Sequence, residues 1–168
     1  MENRKKKLGA DHLYTLTSMA NLASTYRNQG RWDTAEELDV QVMETRKKKL
    51  GADHPDTLAS IANLASTFWK QGRWNAAEKL NIQVIEASKK KLGADHPDTL
   101  TSMNNLAFAW KEQGRDKEAL KLMEECVTLR TRIIGTNHPD TVSSRTTLLG
   151  WQTEELEISA SVDKDLDV

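Results

Sequence analysis

Between Pro55 and Leu92 the apolar residues fall on two helical stripes. Leu58, Ile61, Leu64, Ala65 and Phe68 stand three and four apart, the spacing of one helix face. Pro55 suits the first helical position, where its missing N–H is not needed, and Asp56 complements the positive end of the helix dipole. Gln71-Gly72-Arg73 ends this helix, with Gly72 able to take a left-handed turn. A second stripe follows at Ala77, Leu80, Val84 and Ile85 and runs to Leu92, where Gly93 closes it. Asn75-Ala76-Ala77-Glu78 reads as a loose capping box opening this helix. No alternating strand pattern occurs along the chain.

The helix pair repeats. Leu8-Gly9-Ala10-Asp11-His12 recurs at Leu50 to His54 and at Leu92 to His96, and returns weakly as Ile134-Gly135-Thr136-Asn137-His138. The step is 42 residues each time, and about 27 of 42 positions agree between the first two units. A fixed period in this range predicts a solenoid, in which each unit buries its apolar face only by stacking on the next. Helices are expected at 13–29 and 33–50, 55–71 and 75–92, 97–113 and 117–134, with a lone capping helix at 139–152. Residues 1–8 read as the end of a second helix whose first helix is absent. The array is thus expected over 1–152, with units 9–50, 51–92 and 93–134. Residues 153–168 are acidic and thin in large apolar side chains, and they read as a frayed or disordered tail. Such a tail could fold back onto a basic groove.

Composition removes several function classes. Twenty-four Lys and Arg against 25 Asp and Glu leave a formal charge of −1, which disfavours a nucleic-acid binder. One cysteine excludes an internal disulfide framework and a cysteine-rich zinc site. The apolar runs are only a few residues long, too short to span a membrane, and no apolar segment of secretory type follows the charged start. A cytoplasmic protein with no membrane partner is the expectation.

The motif Ile61-x-x-Leu64-Ala65-x-x-Phe68, followed by Gly72, Trp74 and Ala77, resembles the tetratricopeptide repeat (TPR) pattern. The longer 42-residue unit, with His54-Pro55-Asp56-Thr57, Asn63-Leu64-Ala65, Gln71-Gly72-Arg73-Trp74, Ala77-Glu78 and Leu92-Gly93, is similar to the TPRs of kinesin light chains. It is more similar still to the arrays of fungal NLR-like (NB-ARC or STAND) proteins. The resemblance spans about residues 1–150. It implies an all-α, right-handed superhelix of three full helix-turn-helix units with flanking half-units. It also implies a cargo-peptide receptor or a sensing and assembly segment, and no catalysis by the array. Asp39 and Asn81, with Met123 third, depart from the aromatic residue that the pattern often carries. Arg145 and Gln152 give the last helix the polar face of a solenoid end.

Each residue type that bears chemistry has a bland reading. His12, His54, His96 and His138 recur at one position, and stacked helices set such points about 8–10 Å apart, too far to share a metal. They read as structural residues of the turn, and no metal or cofactor is expected. Asp53 and Asp56 read as capping and dipole residues. The lysine runs at 5–7, 47–49 and 89–91 read as solvated last turns. Cys126 stands where Val42 and Val84 stand and reads as core, as do Trp32, Trp74 and Trp110. No Gly-rich phosphate loop or nucleophile triad occurs, so an enzyme is not expected.

The concave row of first helices remains. It presents Asn21, Asn63, Asn104 and Asn105, the cations Arg27, Lys70 and Lys111, and the aromatics Trp69 and Phe108. The resemblance implies that such asparagines hold the backbone of an extended peptide; the other reading is that they bond neighbouring helices and fix the stacking. The cations favour an acidic or C-terminal carboxylate partner, and Trp69 and Phe108 supply apolar anchors. Self-association through the solenoid ends is the alternative to peptide binding.

Overall fold

The computed structural model describes Gly9 and residues 11–166, with side chains as far as Glu157. Seven helices follow one another among these residues: α1 (Leu13–Asn28), α2 (Trp32–Leu50), α3 (Pro55–Lys70), α4 (Trp74–Lys91), α5 (Pro97–Glu112), α6 (Asp116–Ile134) and α7 (Pro139–Leu166). The half-unit expected at 1–8 lies outside the described residues. Each helix packs on its predecessor, and α1 also touches α3, as α3 touches α5. The first helices therefore form the tighter row, which is the inner side of a curved stack.

The histidines open the first helices. Nδ1 of His12, His54, His96 and His138 accepts the backbone N–H two residues on, at 3.1 to 3.3 Å. A side-chain acceptor here satisfies one of the helix's unpaired N–H groups. The second helices open differently. Arg31, Arg73 and Arg115 hold the cap position without a side-chain bond, and Asn75 already lies inside the first turn of α4. The capping box expected at Asn75 is therefore not the start of that helix. Gly72, with φ +73°, turns the chain from α3 into α4.

The core is cut into segments. Leu16, Met19 and Val42 form one cluster; Leu58, Ile61 and Val84 the next; Leu100, Met103 and Cys126 the third. Ala23, Ala35, Ala65, Ala77, Ala107 and Ala119 are all fully buried, so small side chains set the close approach of the helices. Cys126 is buried too, and its Sγ donates to the Leu100 carbonyl at 3.3 Å. Trp32 and Trp74 correct the core expectation. They are 39% and 37% exposed, because each sits at the mouth of a second helix rather than between helices.

The last helix is longer than the 139–152 expected from the sequence. α7 continues to Leu166 and does not fold back. No Pro or Gly follows Gly150, and Glu154, Glu155, Leu156 and Glu157 all favour helix. Glu154 is also held by Lys111 at 3.0 Å.

Candidate functional site

A repeated clamp holds one unit on the next. Glu36 on α2 accepts from Gln71 Nε2 and Arg73 Nη1, both at 2.8 Å. One period later Glu78 on α4 accepts from Trp110 Nε1 at 2.8 Å, Gln113 Nε2 at 3.2 Å and Arg115 Nη1 at 2.7 Å. Arg31, Arg73 and Arg115 also lie over the rings of Tyr26, Phe68 and Trp110, at 4.1, 3.9 and 4.6 Å. The Gln-Gly-Arg motif and the aromatic position four residues before its Gly are thus one device.

Burial alone would raise the Glu78 carboxyl, but the bonds from Trp110, Arg115 and Gln113 and the charge of Arg115 bring it below its ordinary value. A depressed carboxylate adds stability above its unfolded pKa and loses it as pH falls through the folded one. Glu78→Gln is therefore expected to cost about 1 kcal/mol at neutral pH, since hydrogen bonds to a charged acceptor weaken. The gap between wild type and variant should close as the pH falls below about 4. Urea unfolding at a series of pH values checks it; parallel curves would show that Glu78 does not carry this linkage.

Behind the inner row, the same three positions recur at each junction between units, with different residues. At the first junction Arg27 Nη1 lies 3.5 Å from Asp39 Oδ2 and donates to Thr67 Oγ1 and the Asn63 carbonyl, each at 3.1 Å. Thr67 Oγ1 donates to Asp39 at 2.7 Å. Burial raises the Asp39 carboxyl, and the Thr67 bond and the Arg27 charge only partly offset it.

At the third junction the corresponding residues are Lys111, Met123 and Trp151. Met123 is fully buried and Trp151 packs edge-on to Phe108 with centroids 5.3 Å apart, while a recess of about 460 Å³ lies beside Lys111, Leu120 and Trp151. Lys111 pairs with Asp116 at 2.9 Å and Glu154 at 3.0 Å.

The middle junction carries Trp69, Asn81 and Ala109, and it is open. A cavity of about 290 Å³ is walled by Ala65, Trp69 and Phe108, with Asn81, Asn104 and Asn105 as its amides. Arg27, Ser66 and Lys70 complete the lining. Asn81 Oδ1 and Trp69 Nε1 are buried without a hydrogen-bond partner. The same junction lacks a buried arginine. Arg46 donates to the Asp56 carbonyl at 3.0 Å, and Arg130 to the Asp140 carbonyl at 3.0 Å and to Ser144 Oγ at 2.6 Å. Ser88 stands at this position in α4, and both Ser88 Oγ and Ser102 Oγ are buried and unpaired.

The cavity brings together Arg27, Trp69, Lys70, Asn104, Asn105 and Phe108 of the residues expected to bind. Lys111, Asn21 and Asn63 lie outside its lining. The asparagines divide between the two roles left open. Asn105 Nδ2 donates to Ser66 Oγ on α3 at 3.3 Å, and Asn104 Oδ1 accepts from Ser144 on α7 at 2.8 Å, so both bridge first helices. The Asn21 and Asn63 side chains bond nothing among the described residues. Among the three cations, Arg27 and Lys111 already face carboxylates. Lys70 lies over the Trp69 ring at 4.6 Å and has no carboxylate partner among the described residues. Sequence reasoning missed Asn81 and Ala109 as site residues. The signal for Asn81 was the polar residue at an otherwise aromatic position.

Among the described residues no three His, Cys, Asp or Glu side chains could hold a metal ion, and no helix is long and apolar enough to cross a membrane.

A curved stack of helix pairs with an indented inner row defines an all-α solenoid. Residues 16–90 and 57–132 match the tetratricopeptide repeat family model, and the chain belongs to that family, whose repeats form protein–protein interaction scaffolds. No curated protein sequence matches. Among solved structures, the chain is similar to the kinesin light chain, nearly identical TPR-like repeats of Podosopora anserina. A point variant of those repeats superposes with a TM-score of 0.71 at 28% identity over 97% of this chain and 78% of that one. The form without that substitution gives 0.69 at 28% identity, over 96% and 78%. BtubC (BKLC) from P. vanneervenii shares the fold, with a TM-score of 0.71 at 17% identity over 89% of this chain and 61% of that one.

Proposed function

We propose that the chain is a non-catalytic module that binds a peptide, or an extended segment of a partner protein, along its row of first helices. The observation that carries this reading is the open middle junction on that row, flanked by side chains with no internal partner. Asn21 and Asn63 recur one period apart and can each donate to and accept from a peptide backbone. Lys70 offers a cation to an acidic residue of the partner. Asn104 and Asn105 serve the stacking that holds this surface in shape.

The test compares two baits in the source lysate, the wild-type chain and the variant Asn21→Ala, Asn63→Ala and Lys70→Glu. None of these side chains makes a hydrogen bond in a clamp or a junction, so circular dichroism should match. Partners bound by the wild type are expected to fall about tenfold or more on the variant, the loss of roughly 1.4 kcal/mol or more. Equal capture by both baits would remove the groove from the function. Recovery of the chain alone would favour a second reading, assembly through the array ends. That reading is supported by Val142, Leu149 and Leu156, which are exposed seven residues apart on α7.

A further inference from the structure

We propose that the middle junction anchors the bound peptide by one neutral side-chain amide, a glutamine or an asparagine. The inference rests on the groove reading and names what the groove selects.

Two residues of the cavity lining each carry a buried atom without a partner, and the two atoms are of opposite kind. Asn81 Oδ1 accepts, and Trp69 Nε1 donates. Asn81 is 1% exposed, so ordinary solvent does not serve it. A buried polar group without a partner destabilises the fold, and one left so beside a cavity marks a place where a bound group can supply the missing bond. The complement to one acceptor and one donor on different helices is a group with a donor and an acceptor on two separate atoms. A primary amide has this form: its NH₂ serves Asn81 and its carbonyl serves Trp69. Its short methylene stem lies against the wall made by Trp69 and Phe108, whose ring centroids are 6.0 Å apart.

Charged groups fit less well. A carboxylate only accepts, so it serves Trp69 but sets an anionic oxygen against Asn81 Oδ1. An ammonium only donates, leaves the indole N–H unmet, and shares the cavity with Arg27 and Lys70. Arg27 adds little pull on an acid, because Asp39 already answers its charge at 3.5 Å, and Lys70 is exposed, where solvent and salt screen its charge.

The other junctions cannot take the same guest. Arg27, Asp39 and Thr67 satisfy one another at the first, and at the third the apolar Met123 replaces the amide, so the recess beside Lys111 and Trp151 has no buried acceptor at this position. The array thus has one anchoring point among the described residues. A row of asparagines that holds peptide backbone would accept many registers; a single amide pocket would fix one.

A random peptide library is selected on the wild-type chain and on Asn81→Met, a side chain the array already carries at this position in α6. Wild-type selections are expected to share one Gln or Asn position that the Asn81→Met selections lack. Changing that Gln to Glu should weaken binding by about tenfold or more in fluorescence anisotropy, because a buried acceptor would face a charge. Trp69→Phe, which keeps the ring and deletes the N–H, should weaken the Gln peptide several-fold while its preference over Glu persists, because the Asn81 acceptor that rejects a carboxylate remains; this arm stands even if Asn81→Met fails to fold. Enriched peptides with no shared amide, or with Glu equal to Gln, would overturn the anchor and leave the groove reading standing. No enrichment on the wild-type chain would overturn the groove reading, and the anchor with it.

Discussion

Asp39→Ala is expected to lower the unfolding free energy by about 3 kcal/mol, because it strands a covered arginine. The Asp39 side chain is 2% exposed and that of Arg27 13%. Removing the carboxylate takes away the only counter-charge that the described residues give Arg27, together with the nearer of the Thr67 hydroxyl's two acceptors. The net value of the intact pair is a separate matter, since burying two charges cancels much of their attraction. The neighbouring junction separates the two effects. It holds the equivalent helices, one unit on, with Trp69, Asn81 and Ala109 and no ion pair. The triple variant Arg27→Trp, Asp39→Asn and Thr67→Ala is therefore expected to recover part of the loss seen in Asp39→Ala, the rest being the cost of the unpartnered Trp and Asn atoms it brings. Urea unfolding followed by circular dichroism measures both. A single variant within about 0.5 kcal/mol of wild type, the scale of an ordinary surface change, would show that solvent reaches Arg27 and that the pair is not what holds this junction.

The same substitution should behave differently at two equivalent leucines. Leu16 and Leu58 stand one period apart, and each is 1% exposed. Truncating either to alanine removes buried methyl groups and leaves a cavity, a loss of about 3 kcal/mol within the usual range for such changes. Each leucine packs in its own cluster, so the array should respond as a chain of nearest neighbours. Leu58→Ala weakens an interior unit with partners on both sides, and is expected to lower the midpoint of one shared transition. Leu16→Ala weakens the unit of α1 and α2, which among the described helices packs only on α3. It is expected to open that unit early, with fast hydrogen exchange in α1 and α2 while α3 to α7 stay protected. Identical exchange patterns in the two variants would mean that the array unfolds as one block.

Helix boundaries are legible to within a residue or so through α6, and the reason is local. His-Pro-Asp opens α3 and α5, Gly-Arg closes the turn before each second helix, and these signals act within a few residues of chain. Repetition alone marks the histidines as turn residues, and the Nδ1 caps supply the mechanism. Trp32 and Trp74 escape sequence reasoning because their place in the motif says nothing about which side of the helix mouth faces solvent. The end of α7 escapes it because thin hydrophobicity is a weaker signal there than the lack of any helix breaker after Gly150.

The candidate site is half legible. A 42-residue comparison shows that Asp39, Asn81 and Met123 share a column, and the sequence shows that this column is unusual. It does not show that Arg27 and Thr67 meet Asp39, or that Trp69 and Ala109 flank Asn81, because these residues come from three different helices. The sequence by itself determined the repeat, the helices and the inward row of the groove, since each follows from periodicity and from capping within one unit. The tertiary structure alone decided which junction is satisfied, which is apolar and which leaves buried polar atoms unpartnered. That outcome depends on side-chain volume and hydrogen-bond partners summed across helices from neighbouring units, a quantity no single unit contains.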